Sequence, residues 1–115
     1  MKREERAVQL WSLLVLAAKN RQILTYDFVA KATGMMTPGI GDMLRPIQQY
    51  CIENDLPPLT SLIVNGNTGL PGTGFIAAEN VPKAQLETFE HVWIEHKAPS
   101  PEQFRDAYSR IPETR

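Results

Sequence analysis

The residues best suited to bind a metal ion or exchange protons are two histidines, His91 and His96, which follow Glu90 and Glu95. Metal-binding histidines on a helix usually stand four residues apart, which places both on one face. These two are five residues apart, or about 140° around a helix axis. With 2 His and 1 Cys in the whole chain, a four-ligand zinc site is not expected. We predict one solvated histidine, one partly buried histidine and no metal site.

Three side chains have the chemistry of nucleophiles: Cys51, Thr60 and Ser61. Neither histidine is near them in sequence, and a Gly-x-Ser-x-Gly elbow is missing. Cys51 falls on the apolar stripe of a predicted helix, which is typical of a small buried hydrophobe and not of a reactive thiolate. The glycines of residues 66–74 lack the lysine and the helix that follow a phosphate-binding loop. We therefore expect no catalytic residues, no cofactor and no enzymatic activity.

Residues 25–75 have the order of elements of a winged helix-turn-helix. The first helix is predicted to follow the cap Thr25 and to end at Gly34, where a left-handed turn is natural. Thr37 as cap and Pro38 at the first helical position predict the start of a second helix. An apolar stripe with helical spacing defines its inner face and passes through Pro46, which predicts a kink. The stripe consists of Ile40, Met43, Leu44, Ile47, Tyr50 and Cys51.

A β-hairpin is predicted after this second helix. Residues 59–64 are strand-like, residues 65–74 are turn-forming, and residues 75–77 complete the hairpin. This hairpin would be the wing. The predicted fold class is mainly α (α+β), a winged helix-turn-helix with a β-hairpin wing and two additional C-terminal helices.

Helices are also predicted on both sides of this unit. Residues 5–18 are apolar on nearly all sides, which indicates a central helix or one shared with a partner. A helix that begins near Pro82 is predicted to carry its apolar stripe as far as His96. A capping box of Ser100 and Gln103 predicts the last helix, which ends before Pro112. The chain contains no linker composition, so residues 1–115 are expected to form a single domain.

Composition and charge limit the function. The chain has 115 residues, 43% of them hydrophobic, and a net charge of −1, so it lacks the basic field of a strong non-specific DNA-binding protein. Residues 19–50 nevertheless contain four basic and two acidic residues. The apolar run of residues 13–18 is far shorter than the roughly 20 residues of a membrane helix. The single Cys fits a reducing cytoplasm, where we expect the protein to be located.

The outward face of the second predicted helix carries side chains that can recognise bases. Arg45 can pair with guanine, Gln49 with adenine, and Asp42 can accept from cytosine. Gly39 and Gly41 would allow the helix N-terminus to approach a phosphate. The alternative is a solvated helix face with ordinary charges. The predicted nucleic-acid-binding residues are Thr25, Tyr26, Lys31, Thr37, Gly39, Asp42, Arg45, Gln49, Asn65, Asn67 and Thr68.

Several motifs resemble the C-terminal domain of alkylguanine-DNA alkyltransferases and alkyltransferase-like proteins. They are residues 24–30 (LTYDFVA) with Gly34, residues 40–44 (IGDML), residues 56–59 (LPPL) and residues 69–75 (GLPGTGF). In that family the helix-turn-helix docks in the minor groove, an Arg replaces a flipped base, and a Pro-Cys-His-Arg motif accepts the alkyl group. Here Pro38 matches the Arg position, and residues 58–64 contain no such motif. The resemblance therefore implies the fold and DNA contact, but not alkyl transfer.

These patterns lead to two hypotheses about function. The first is a small non-catalytic protein that binds double-stranded DNA, as a regulator or an accessory protein. The second is a protein-interaction module on a winged-helix scaffold, with a protein partner or a second copy of the chain. The near-zero net charge and the apolar first helix favour the second hypothesis. Neither hypothesis involves a membrane.

Overall fold

The computed structural model describes residues 2–112. This part of the chain contains five α-helices and two very short strands. A mainly helical fold with a small sheet is therefore confirmed. Two one-turn 3-10 helices at Leu59–Leu62 and Trp93–Glu95 complete the structure. In chain order the elements are α1 (Arg3–Lys19), β1 (Leu24–Thr25), α2 (Tyr26–Thr33), α3 (Thr37–Glu53), β2 (Ile63–Val64), α4 (Val81–Glu90) and α5 (Pro101–Ser109).

Helix α1 lies at the centre of the hydrophobic core and packs against α3, α4 and α5. Its indole ring at Trp11 is the centre of an aromatic cluster that joins these elements. The ring lies 5.7 Å from Tyr50, 5.6 Å from Trp93 and 6.0 Å from Phe104, measured between ring centroids. The apolar positions of the helix face the core, while Glu5, Gln9, Ser12, Leu16 and Lys19 form an exposed face. The buried residues of α1 are Ala7, Leu10, Trp11, Leu14, Ala17 and Ala18.

The ends of α2 follow the predicted capping signals. Thr25 Oγ1 accepts a hydrogen bond from the Phe28 amide at 3.1 Å, and Gly34 adopts a left-handed φ of 74°. Residues 34–36 then connect α2 to α3. The predicted cap of α3 is wrong by one residue: Thr37 is the first helical residue, and the capping position is occupied by Met36 without a side-chain bond. Pro38 is the second helical residue and not the first, still within the first turn, and α3 continues through Pro46.

The sheet differs from the predicted hairpin. Strand β2 pairs with β1 in parallel, with Leu24 opposite Ile63 and Thr25 opposite Val64. Residues 59–62 are instead a 3-10 helix, and residues 75–77 are not a strand. The hairpin does not form because each of its two predicted strands has another partner. Strand β2 pairs with β1, and the side chain of Gln48 on α3 binds the backbone of Gly74 and Ile76. Residues 59–77 thus form no β-hairpin, and residues 65–74 are an irregular loop, hereafter the Gly-rich loop.

The C-terminal part also departs from prediction in one place. Helix α4 begins after its cap Asn80 but ends at Glu90, so the predicted helical stripe to His96 is wrong. The chain turns there, and the indole N–H of Trp93 donates to the carbonyl of Thr88 at 2.8 Å, which places the Trp93 ring in the core. The capping box of Ser100 and Gln103 is confirmed at the start of α5. Across residues 2–112, each helix is too short or too polar to cross a membrane.

Candidate nucleic-acid interface

A cleft of about 410 Å³ lies where the N-termini of α2 and α3 meet the Gly-rich loop. The unpaired N–H groups of a helix's first turn carry partial positive charge and favour anions. One carboxylate, that of Asp27, also lines the cleft. Four of the predicted nucleic-acid-binding residues meet here: Tyr26, Thr37, Asn65 and Asn67. The full lining is Tyr26, Asp27, Thr37, Pro38, Gly41, Asn65, Gly66, Asn67, Gly72, Thr73 and Gly74.

The tip of the Gly-rich loop is shaped by its own side chains. Asn65 Oδ1 accepts from the amides of Asn67 at 2.8 Å and Thr68 at 3.3 Å. Thr68 Oγ1 accepts from the amide of Leu70 at 3.2 Å. Asn65, Asn67 and Thr68 are exposed, as expected for a wing tip. The side-chain oxygens of Asn65 and Thr68, however, are used within the loop, where they stabilise the turn. Among the predicted tip residues, Asn67 has a side chain that makes no hydrogen bond within residues 2–112.

Tyr26 fastens the loop to the start of α2. Its phenol oxygen accepts a hydrogen bond from the amide of Gly72 at 3.1 Å. A Cβ atom at position 72 would lie 2.7 Å from that oxygen, so glycine is required for this close approach. Because a phenol donates as well as accepts, the O–H of Tyr26 can still donate to a group in the cleft.

Gln48 is the second anchor of the loop and lies on α3. Its Nε2 donates to the carbonyl of Gly74 at 3.1 Å, and its Oε1 accepts from the amide of Ile76 at 3.0 Å. The side chain is 6% exposed. Sequence reasoning missed this residue. Its position in the sequence could have indicated the role. Gln48 follows Leu44 by four residues and Ile40 by eight, so it is a polar residue on the apolar stripe of the helix, where a buried hydrogen-bonding role is expected.

Asp42 and Arg45 belong to a small charged cluster at the N-terminal end of α1. Arg3 Nε lies 3.0 Å from Asp42 Oδ2, and Arg45 NH1 lies 3.9 Å from Asp42 Oδ1. The guanidinium groups of Arg3 and Arg45 lie 4.1 Å and 5.6 Å from the ring centroid of Tyr108. The carboxylate of Asp42 is thus already paired and not a free acceptor for a base. Arg45 stays half-exposed and is positioned by its neighbours.

Gln49 does not face outwards, so the prediction that it reads bases is wrong. Its side chain is 6% exposed, and its Nε2 donates to Glu53 Oε2 at 2.9 Å. Glu53 in turn accepts from the guanidinium of Arg110, with both donor–acceptor distances 2.8 Å. The reason is that α5 packs on this side of α3, which the spacing within α3 alone does not reveal.

The remaining predicted residues lie around the cleft without lining it. The hydroxyl of Thr25 caps α2. Lys31 is exposed on α2, and Gly39 is half-exposed in the first turn of α3. At the cleft, the N-terminal part of α3 is exposed at Thr37, Pro38 and Gly41.

A small cavity of about 40 Å³ lies beneath the loop, between Tyr26, Leu44, Gln48 and Thr60, with Arg45 at its edge. Thr60 Oγ1 is buried there and lacks a hydrogen-bond partner within the described residues. A site of this size has room for a water molecule.

The two histidines contact each other. His91 Nε2 and His96 Nε2 are 2.5 Å apart, and the rings stack at 4.7 Å between centroids. Burial lowers the pKa of His91, and the neighbouring His96 lowers it further. One ring is half-buried and the other exposed, as predicted. Over residues 2–112, no three side chains of His, Cys, Asp or Glu are grouped to hold a metal ion.

Cys51 is expected to resist alkylation in the folded protein. Burial raises the pKa of its thiol from the ordinary value of 9.0 to about 12, so the nucleophilic thiolate is scarce. Iodoacetamide at pH 8, followed by mass spectrometry, should label the protein in denaturant and leave the native protein unmodified. Because the unfolded thiol ionises first, this residue also stabilises the fold below pH 9, and that contribution declines as pH rises towards 12. Rapid native labelling at pH 8 would contradict the burial of Cys51.

Comparison with known proteins identifies no family model, no curated protein and no solved structure that matches this chain. The resemblance to the alkyltransferase family therefore stays a prediction.

Proposed function

We propose that this protein binds double-stranded DNA without catalysing a reaction, through the N-terminal part of α3 and the Gly-rich loop. The observation that carries the proposal is the cleft in which two helix N-termini face an exposed loop. Backbone N–H groups at helix N-termini and in such loops are common phosphate contacts. In this proposal the Gly-rich loop replaces the β-hairpin wing of a winged helix.

The proposed contact surface is smaller than the one predicted from sequence. It contains Thr37, Gly41 and Arg45 on α3, and Asn67 at the loop tip. Arg45 is the side chain suited to reach a base edge or a phosphate, because its half-exposed guanidinium is already oriented by Asp42 and Tyr108. Pre-orientation lowers the entropy lost when such a side chain binds. A regulator or accessory protein fits this limited surface.

Charge predicts that binding is weak and depends on salt. The net charge is −1, and the cations of α2 and α3 are the exposed Lys31 and the half-exposed Arg45. For two phosphate contacts, counterion release predicts about a tenfold loss of affinity between about 50 mM and 200 mM salt. Fluorescence anisotropy of a labelled random-sequence duplex at the two salt concentrations tests this. Absence of binding at both would refute the proposed function.

Arg45→Ala is expected to weaken DNA binding at low salt by about tenfold, since a base or phosphate contact by Arg contributes roughly 1–3 kcal/mol. The matched control is Lys83→Ala, which removes one exposed cation from α4, away from the cleft. Both variants should be checked for unchanged thermal unfolding, because Arg45 also contacts Tyr108. Equal affinities of wild type, Arg45→Ala and Lys83→Ala would exclude Arg45 from the interface.

A further inference from the structure

An apolar groove of about 500 Å³ lies between the C-terminal half of α1 and the segment that follows α4. Its position differs from that of the proposed DNA surface. The proposed DNA surface lies near the N-terminal end of α1, where Arg3 contacts Asp42. The groove lies at the C-terminal end of the same helix, which is about 25 Å long. The apolar residues that line the groove are Val15, Leu16, Phe89, Val92, Trp93 and Ile94.

Three large apolar side chains at this groove are open to solvent. Ile94 is 87% exposed, Leu16 60% and Val92 52%. Leu16 lies on the exposed face of α1, where it is the one large apolar side chain among Glu5, Gln9, Ser12 and Lys19. Contiguous apolar surface beside a groove typically marks an interaction site, whereas single exposed apolar residues do not.

Ile94 projects from a rigid base. It occupies the one-turn 3-10 helix Trp93–Glu95, and Trp93 is anchored by its hydrogen bond to Thr88 and its contact with Trp11. A protruding side chain and an apolar groove therefore lie next to each other on one fixed surface. Association of such a pre-ordered surface costs little conformational entropy.

The charges at the groove have both signs. Lys19 and Arg21 line it at the end of α1, and Glu90 lines it at the end of α4. Within residues 2–112 none of these three forms an ion pair. A two-fold axis places the same patch of each copy against the other, so a patch with both charges and with both a protrusion and a groove can be complementary to itself.

We infer that this groove is the interface of a homodimer. Two copies pair about a two-fold axis, Ile94 of each copy enters the groove of the other, and Lys19 and Arg21 of each copy face Glu90 of the other. The occupant is a second copy of this chain because the protrusion, the groove and the complementary charges all lie on the same patch. DNA binding is not required for this association.

Sedimentation velocity of the full chain tests the inference, over protein concentrations from roughly 1 to 500 µM, the range in which modest interfaces associate. The wild type is expected to form a dimer. Ile94→Asp and Leu16→Asp should each raise the dimer dissociation constant at least tenfold, because each places a charge in the apolar contact. The control Met36→Asp changes an equally apolar residue, 80% exposed, outside the groove and should leave the dissociation constant unchanged.

A charge exchange tests the two-fold arrangement itself. Glu90→Lys should weaken the dimer by severalfold, and adding Lys19→Glu with Arg21→Glu should restore it, because opposite charges then face each other again. Thermal unfolding of each variant verifies that the fold is retained. A wild type that is monomeric at every concentration, groove variants that dimerise as the wild type does, or a failed charge rescue would overturn the inference. A wild type that gains mass only with another protein would overturn it too, while the DNA titration remains an independent measurement.

Discussion

Trp11→Ala is expected to lower the free energy of unfolding by about 3–5 kcal/mol, the range for truncation of a buried large aromatic side chain. The indole contacts Tyr50 of α3, Trp93 of the second 3-10 helix and Phe104 of α5. The side chain is 3% exposed, so its removal leaves a cavity where four segments meet. Since domains of this size are stabilised by only about 5–15 kcal/mol, the loss is a large fraction of the total.

Urea denaturation followed by circular dichroism measures this effect. The control is Met36→Ala, where the side chain is 80% exposed and lies outside the apolar groove, and truncation is expected to change stability by at most about 0.5 kcal/mol. Trp11→Phe should fall between the two variants because it retains part of the ring contacts. If Trp11→Ala and Met36→Ala were equally stable, Trp11 would not be the centre of the core.

Gln48→Met is expected to cost about 1–3 kcal/mol of stability and to detach the Gly-rich loop. Methionine matches the length and burial of glutamine but cannot bind the carbonyl of Gly74 or the amide of Ile76, which Gln48 holds at 3.1 Å and 3.0 Å. Each of these two part-buried hydrogen bonds contributes roughly 0.5–1.5 kcal/mol. Since the loop forms one wall of the proposed DNA cleft, DNA affinity should fall as well.

Hydrogen exchange at residues 72–76 is the most direct measurement for this variant, because the amide of Ile76 loses its acceptor and should exchange faster. Gln22→Met, the same substitution at an exposed position, is the control. Unchanged exchange in these residues would show that the loop is held by other contacts. Faster exchange with unchanged DNA affinity would separate the loop from the proposed DNA surface.

The local signals of the sequence predicted where several helices begin and end. Thr25 and Gly34 bound α2, Asn80 precedes α4, and the capping box of Ser100 with Gln103 starts α5. These features depend on hydrogen bonds between residues at most four positions apart, so the neighbouring sequence contains all the partners. The candidate cleft was partly predictable for the same reason: the order of α2, α3 and the Gly-rich loop already grouped Tyr26, Thr37 and Asn65 as contact residues.

The sequence by itself determined the helical class, the caps of α2 and α5, and the apolar face of α3, because each follows from short-range bonding and periodicity. Only the tertiary structure decided which strand pairs with β2, and that α5 covers Gln49. It also decided that Gln48 binds the backbone of residues 74–76 and that α4 ends early enough for His91 and His96 to stack. Each of these features depends on a contact with a residue outside the local sequence pattern. Some of the contacting residues are far apart in the chain, as are Glu53 of α3 and Arg110 after α5. Burial of a polar side chain depends on what packs over it, and periodicity within one helix does not contain that information.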